Sequence, residues 1–211
     1  MIEHCDSCGD KPPEGLSRVR ISDKVSRGSD GPVMAHPFFT IGHSTRSMSE
    51  FMVLLADSEI ELVVDVRTVP RSRANPQYRS TILAEVLRES GIDYEHVAAL
   101  GGLRGRIKSV PAEVNSFWKN SSFHNYADYA LGEQFQTGLN RLKELGQTRQ
   151  CVVMCSEAVW WRCHRRIIAD YLIAAGESVF HILGRNHIVP ACMTPEAEYQ
   201  SGDTLHYHLA V

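Results

Sequence analysis

Short apolar runs alternate with amphipathic helical segments along most of this chain, and this alternation constrains the fold more than any other feature. The runs IELVVDVR (60–67) and QCVVMC (150–155) are rich in β-branched residues, which favours buried strands. A capping box, Ser47 with Glu50, opens one helical segment, and Gly176 ends another. We therefore expect a single α/β domain with a mainly parallel sheet and helices on both faces, a Rossmann-like three-layer arrangement.

The same patterns assign the individual segments. Strands are predicted at 38–42, 60–67, 93–100, 150–155 and 178–183, with an edge strand at 205–211. Helices are predicted to follow Ser47 and Ser80 and to cover 125–145 and 161–176.

Residues 1–35 differ in composition from the rest of the chain. They are rich in Ser, Asp, Gly, Pro and Lys and lack apolar periodicity, which predicts a flexible N-terminal extension before an α/β domain at 36–211. Cys5 and Cys8 form a C-x-x-C within it, and His4 lies beside them. A structural zinc needs about four ligands, so a mobile tail and a metal knuckle are both compatible with this segment.

Composition excludes several classes of protein. The net charge is −3 and the isoelectric point about 6.4, which does not fit a broad duplex nucleic-acid face. No apolar run reaches the roughly 18 residues of a membrane span, and the N-terminus does not resemble a signal peptide. We expect a cytoplasmic, bacterial-type protein whose six cysteines serve as thiols, ligands or redox groups rather than as a disulfide framework. The sequence does not indicate an oligomeric state.

Three predicted strands end in reactive or charged side chains. Ligands of parallel sheets bind at the carboxyl ends of the strands, so these side chains would converge on one site if the three strands are neighbours. They are His43 and Ser44, Asp65 and Arg67, and Cys155, Ser156 and Glu157.

Two basic loops follow predicted strands. RTVPRSRANPQYR (67–79) contains four arginines and no acid, and LRGRIK (103–108) adds three cations. Such loops suit phosphate groups or a nucleic-acid backbone, although a solvated charged loop is the alternative. The predicted anion-binding residues are Ser44, Arg67, Arg71, Arg73, Arg104 and Arg165.

The segment CSEAVWWRCHRRIIADYL (155–172) contains most of the candidate catalytic side chains. Cys163 falls near a predicted helix start, where the helix dipole and adjacent arginines can lower a thiol pKa and favour a nucleophile; a buried packing role is the alternative. Cys155 fits a nucleophile, a redox partner of Cys163 or core packing, and Glu157 fits an acid/base, a cap or an ion pair. Asp65 either orients a histidine or pairs with an arginine. The candidate catalytic residues are Cys163, His164, His43, Asp65, Cys155 and Glu157.

Spacing excludes several known centres. Cys155 and Cys163 form C-x7-C, which is neither a thioredoxin C-x-x-C nor a C-x5-R phosphatase motif. Gly101-Gly102 is not a G-x-G-x-x-G fingerprint, so no dinucleotide is indicated and no cofactor is predicted. Zinc or iron is a further alternative, since Cys155, Glu157, Cys163, His164 and His43 have suitable ligand types.

Four motifs together resemble a known family. TIGHSTRS, VVDVRTVPRS, GIDYEHVAALGG and CSEAVWWRCHRRIIADYL, in this order over roughly residues 38–185, resemble the bacterial family known as domain of unknown function 488, which has no established activity. The resemblance places at signature positions Gly42, His43, Ser44, Asp65, Arg67, Pro70, Gly101, Gly102, Cys155, Glu157, Cys163, His164 and Arg165.

The leading hypothesis is an enzyme, either a hydrolase or a group transferase, that acts on a phosphorylated, nucleotide or nucleic-acid substrate at the carboxyl edge of the sheet. A non-catalytic module that binds an anionic small molecule or nucleic acid, with a redox-sensitive Cys155–Cys163 pair, is the alternative. A metal-binding protein is the third possibility, and no membrane partner is expected.

Overall fold

The computed structural model describes residues 36–200 and 203–209, and it confirms the three-layer α/β fold. The predicted extension at 1–35, with Cys5 and Cys8, lies outside the described residues. The strands are β1 (Phe38–Gly42), β2 (Leu62–Asp65), β3 (Asp93–His96), β4 (Cys151–Cys155), β5 (Val179–Gly184), β6 (His187–Pro190), β7 (Ala197–Gln200) and β8 (Thr204–Tyr207). The α-helices are α1 (Met48–Asp57), α2 (Ser80–Glu89), α3 (Ser121–Ala130), α4 (Glu133–Thr148) and α5 (Arg165–Ala174).

The main sheet has the strand order β3-β2-β4-β1-β5-β6. Its first five strands are parallel, and β6 runs antiparallel to β5 at one edge. Strands β7 and β8 form a separate two-stranded sheet. None of the helices in the described residues is both long and apolar enough to cross a bilayer.

Two apolar cores cover the two faces of this sheet. Because successive strand residues point to opposite faces, Val152 and Met154 of β4 pack with α1 and α2, whereas Val153 and Cys155 pack with α3, α4 and α5. Gly146 of α4 lies so close to β1 that a Cβ there would meet the Phe38 ring at 2.1 Å. The central strands are therefore buried on both faces, as their apolar sequences require.

The direction of the connections changes in the middle of the sheet. The helices that follow β1 and β2 pack on one face, and the helix that follows β4 packs on the other. Strand β4 lies between β2 and β1 in the sheet. The chain leaves β4 towards one face of the sheet, whereas it leaves both neighbouring strands towards the other face. Such switch points open a crevice beyond the strand ends, which is where α/β sheets bind ligands.

Several predicted boundaries need correction. The helix expected over 125–145 is two helices that separate at Gly132, the N-cap of α4. The strand expected at 93–100 ends at His96, and a 3₁₀ turn (Ala98–Leu100) follows it. The edge strand expected at 205–211 pairs with β7 outside the main sheet, whose antiparallel edge is β6.

The helix predicted at 161–176 begins later, at Arg165. A 3₁₀ turn (Trp160–Arg162) precedes it, and Cys163 between the two is extended, with φ −130° and ψ 144°. His164 is the N-cap residue, so Cys163 lies just before the helix rather than inside it.

Candidate active site

The three strand ends predicted to converge are neighbours in the sheet. The backbone N–H of His43 donates to the carbonyl of Cys155 over 2.9 Å, which ties β1 to β4. The N–H of Val66 donates to the carbonyl of Met154 over 3.0 Å, which ties β2 to β4. The polar side chains that follow β1, β2 and β4 therefore meet at one edge of the sheet.

A cavity of about 650 Å³ opens at this edge. Its lining includes eight of the predicted site residues: His43, Arg67, Arg71, Arg73, Cys155, Glu157, Cys163 and His164. The other four predicted residues, Ser44, Asp65, Arg104 and Arg165, lie outside the lining. Ser156, which the sequence placed at a strand end, also belongs to the lining, and residues that the sequence did not predict include Thr68, Ser72, Ser122, Phe123 and Arg162.

Two thiols and an imidazole form the floor of the cavity. The Nδ1 of His164 lies 3.6 Å from the Sγ of Cys163 and 4.0 Å from the Sγ of Cys155. The Nε2 of His164 lies 3.1 Å from the carbonyl oxygen of Val66, which can only accept, so this nitrogen carries the proton. In the neutral imidazole the lone pair is then on Nδ1 and faces both sulfurs.

Arg165 makes the two thiols unequal. Its Nε donates to the Sγ of Cys163 over 3.3 Å, and its guanidinium also donates to the carbonyl of Glu157 over 2.5 Å. Burial alone would raise the pKa of Cys163, but the hydrogen bond from Cys155 and the charge of Arg165 lower it to about 6. The same contact with Cys163, together with burial, raises the pKa of Cys155 to about 12. The contact with Arg165 therefore favours Cys163, rather than Cys155, as the thiolate of the pair.

Arg165 thus contacts the sulfur from the protein interior and does not line the cavity. Its side chain is 1% exposed, and a Cβ at Gly42 would meet its NH2 at 2.9 Å and the carbonyl oxygen of Glu157 at 1.7 Å. Only glycine fits at position 42, because the turn after β4 passes directly over it. The Glu157 carboxylate lies on the exposed side of this turn, at the cavity wall.

Asp65 and Arg67 form the ion pair that the sequence left as an alternative. The Nε and NH2 of Arg67 donate to the Asp65 carboxylate over 2.9 and 2.5 Å, and the Tyr94 hydroxyl donates to the same carboxylate over 2.7 Å. The NH1 of Arg67 points to the Nε2 of His43 at 3.4 Å. Asp65 therefore orients Arg67 rather than a histidine.

His43 lies in the cavity wall as a neutral side chain. Burial lowers its pKa to about 4. Its Nδ1 donates to the carbonyl of Ser44 over 2.9 Å, and its ring stacks on Tyr78 with 4.0 Å between the ring centroids. Ser44 adopts a left-handed backbone, with φ 49°, and its N–H donates to the carbonyl of Ser156. His43 and Ser44 thus fix the junction of β1 and β4.

The Arg104 side chain is bound to backbone carbonyls of its own loop. Its guanidinium donates to the carbonyls of Ala98, Ala99 and Gly101 and lies 3.8 Å from the centroid of the Tyr129 ring. This explains why Arg104 does not reach the cavity. The same loop brings Gly102 against His164, where a Cβ would meet Nδ1 at 2.3 Å.

Arg162 shows what the sequence reasoning missed. It lies in the 3₁₀ turn beside Cys163 and lines the cavity, whereas a continuous helix over 161–176 gives no reason to select it. The three arginines of the segment 162–166, one of which directly precedes Cys163, were the available signal.

The floor of the cavity also has the composition of a metal centre. The Sγ atoms of Cys155 and Cys163 and a ring nitrogen of His164 all lie within 4.8 Å of one another. Cys151, Cys155 and Cys163 are free thiols, in line with the expectation for cysteines in this chain.

The fold and the cavity define an α/β protein with a cysteine–histidine centre at the carboxyl edge of its sheet. Residues 47–172, more than half of the chain, match the family described as Domain of unknown function DUF488, and the protein belongs to that family. This confirms the resemblance, over a span that begins after β1 and ends within α5. No curated protein and no solved structure matched the chain.

Proposed function

We propose that this protein is a thiol-dependent hydrolase or group transferase that acts on a phosphorylated or nucleotide substrate. One observation carries the proposal: the Sγ of Cys163 lies between the Arg165 guanidinium and the Nδ1 of His164, at the floor of a cavity lined with arginines. The nucleophile, its acid/base partner and cationic groups for an anion are therefore in one place.

The geometry supports a two-step reaction. The Cys163 thiolate attacks the electrophilic centre of the substrate and forms the S–substrate bond, while the leaving group departs with its electron pair. His164, protonated at Nδ1, donates that proton to the leaving group. The neutral His164 then takes a proton from water, or from an acceptor hydroxyl, whose oxygen attacks the same centre. The O–substrate bond forms as the S–substrate bond breaks, and the electron pair of that bond restores the thiolate.

The remaining residues have positioning roles in this scheme. Asp65 holds Arg67 so that NH1 faces His43 and the cavity, where it can bind an anionic oxygen. His43 stays neutral because of its buried position, which suits a support for Arg67 better than an acid or base. A cytoplasmic location, as expected from the sequence, would keep Cys163 reduced.

The test is a comparison of Cys163→Ser with Cys151→Ser on a panel of phosphate monoesters and nucleotides. We expect turnover by the native protein and by Cys151→Ser, because Cys151 lies at the far end of β4 from the cavity. We expect Cys163→Ser to lose turnover, and mass spectrometry of the quenched native protein to place the substrate fragment on Cys163. Retained turnover in Cys163→Ser would refute the nucleophile.

A non-catalytic anion-binding module with a redox-sensitive Cys155–Cys163 pair is the rival from another class. It predicts nucleotide binding without turnover, and a disulfide between the two cysteines after mild oxidation that is removed by either Cys→Ser change.

A metal centre is a second candidate, favoured by the three donor atoms within 4.8 Å. Two thiolates and an imidazole suit zinc with a fourth position open to the cavity, and the bond from His164 Nε2 to a backbone carbonyl is typical of metal-binding histidines. Metal analysis of protein purified without chelators tests this candidate, since stoichiometric zinc or iron that is lost in His164→Ala would replace the nucleophile scheme.

A further inference from the structure

The arginines of the cavity differ in how much of their charge is already compensated. Arg67 is paired with the buried Asp65 carboxylate. Arg71, Arg73 and Arg162 line the same cavity and are exposed, and their guanidinium groups make no hydrogen bond or ion pair to another described residue. Glu157 is the one acidic side chain of the lining. The cavity therefore holds excess positive charge within a chain of net charge −3.

These guanidiniums come from two different connections. Arg162 lies beside Cys163 in the β4–α5 connection, and Arg71 and Arg73 lie in the connection that leads from β2 to α2. Arg162 is therefore the exposed guanidinium that adjoins the thiol of Cys163 in the chain, whereas Arg71 and Arg73 belong to a connection that carries no thiol.

The same cavity exposes apolar side chains. Val69 is 57% exposed and Leu103 is 81% exposed, and both belong to the lining together with Phe123. Large exposed apolar side chains at the wall of a charged pocket indicate contact with an uncharged part of a ligand. At about 650 Å³ the cavity is far larger than one phosphate and lies within the usual range for organic ligands.

We infer that the cavity binds a small organic diphosphate, such as a nucleoside diphosphate. One phosphoryl group lies at Arg67 and Arg162 beside Cys163, the other at Arg71 and Arg73, and the organic group contacts Leu103. This inference names the substrate class of the proposed function. It depends on that function for the identity of the phosphoryl group that reacts. A nucleic-acid chain is disfavoured, because it would need an extended basic surface, which does not fit a protein of net charge −3.

Calorimetry with ADP, AMP, pyrophosphate and a twelve-residue oligothymidylate tests the inference. Because each phosphate–guanidinium contact is charge-assisted, we expect ADP to bind about tenfold tighter than AMP, and also tighter than pyrophosphate. The exposed pair Arg71→Ala/Arg73→Ala should bring the ADP affinity down to that of AMP and leave AMP unchanged. Arg88→Ala in α2, an exposed arginine outside the cavity, should change neither affinity.

Three results would overturn the diphosphate site: equal affinities for ADP and AMP, an equal loss for both ligands in the double variant, or tighter binding of the oligonucleotide than of ADP. The same titration on Cys163→Ser separates the two proposals. Full ADP affinity in that variant is expected, and if the native protein then fails to turn over any nucleotide, the proposed function fails while the diphosphate site stands.

Discussion

Arg165 donates a hydrogen bond from Nε to the Sγ of Cys163 over 3.3 Å, although Arg165 is 1% exposed and Cys163 is 2% exposed. A cation held this close to a buried sulfur favours the thiolate, because little water is present to screen the charge. This contact separates Cys163 chemically from the other free cysteines of the described residues.

The first prediction removes that charge. Arg165→Gln should raise the pKa of Cys163, since the guanidinium stabilises its thiolate. The rate of iodoacetamide alkylation at pH 7 should therefore fall, about twofold if the pKa rises to 7 and about tenfold if it rises to 8. Peptide mass spectrometry across pH 5 to 9 measures the profile at Cys163. Arg165→Lys, which keeps the charge, should restore part of the rate. Cys151 is an internal control, because burial raises its pKa to about 12. An unchanged profile in Arg165→Gln would show that the arginine has no such effect.

The second prediction concerns the contact of Gly102 with the imidazole. A Cβ at position 102 would meet the Nδ1 of His164 at 2.3 Å, so Gly102→Ala must displace the ring from the two sulfurs. We expect a loss of about 1–3 kcal/mol in the free energy of unfolding, as for other overpacked sites, and a change in Cys163 alkylation. Gly105→Ala is the matched control, because nothing lies within 4 Å of its Cβ. Denaturant unfolding measures both variants, and equal stabilities would contradict the close contact.

The third prediction compares two aspartates that each pair with an arginine. Asp65→Asn leaves the Arg67 guanidinium buried without its carboxylate, which costs about 3–5 kcal/mol in buried pairs. Asp93→Asn breaks the pair with Arg149 at the surface, where such pairs contribute about 0–1 kcal/mol. Urea denaturation of the two variants should therefore give clearly different midpoints. Similar midpoints would mean that the Asp65–Arg67 pair is not needed to compensate charge.

The fourth prediction follows from the buried position of His43. Its pKa is about 4 in the folded protein and near 6.5 in the unfolded chain, so the unfolded chain binds more protons between these values. The contribution of His43 to stability is therefore complete above about pH 6.5 and is lost as the pH falls towards 4. His43→Gln should flatten this part of the curve of unfolding free energy against pH. His187→Gln, at an exposed position, should leave the curve as it is. If His43→Gln keeps the native slope, the imidazole is not the group that titrates.

The sequence predicts the sheet and the edge where the site lies, because both depend on local patterns. Apolar β-branched runs specify buried strands, and the residue after each run must lie at the carboxyl end of its strand. His43, Arg67 and Cys155 could therefore be assigned to one edge of a sheet before the strand order was known. The order itself depends on pairing between distant segments, such as Phe39 with Val152, which periodicity does not encode.

Side-chain partners were harder to predict than positions. Asp65 and Arg67 are two residues apart at the end of β2, so their ion pair was open to prediction, but the hydroxyl of Tyr94 reaches the same carboxylate from a neighbouring strand. The late start of α5 has a local cause that hydrophobic spacing does not reveal. The extended backbone of Cys163 interrupts a pattern that otherwise continues through it, and this placed Arg162 in the cavity.

The central position of β4 also determines when the site can form during synthesis. Strands β1 and β2 are synthesised early, yet each has β4 as a neighbour in the sheet. Ile41, for example, pairs with Met154, which is synthesised more than a hundred residues later. Pairing over such long stretches of chain is intrinsically slow. His43 and Arg67 therefore follow strands that are not paired with each other, and the site that they share with Cys155 cannot be complete before β4 has been synthesised.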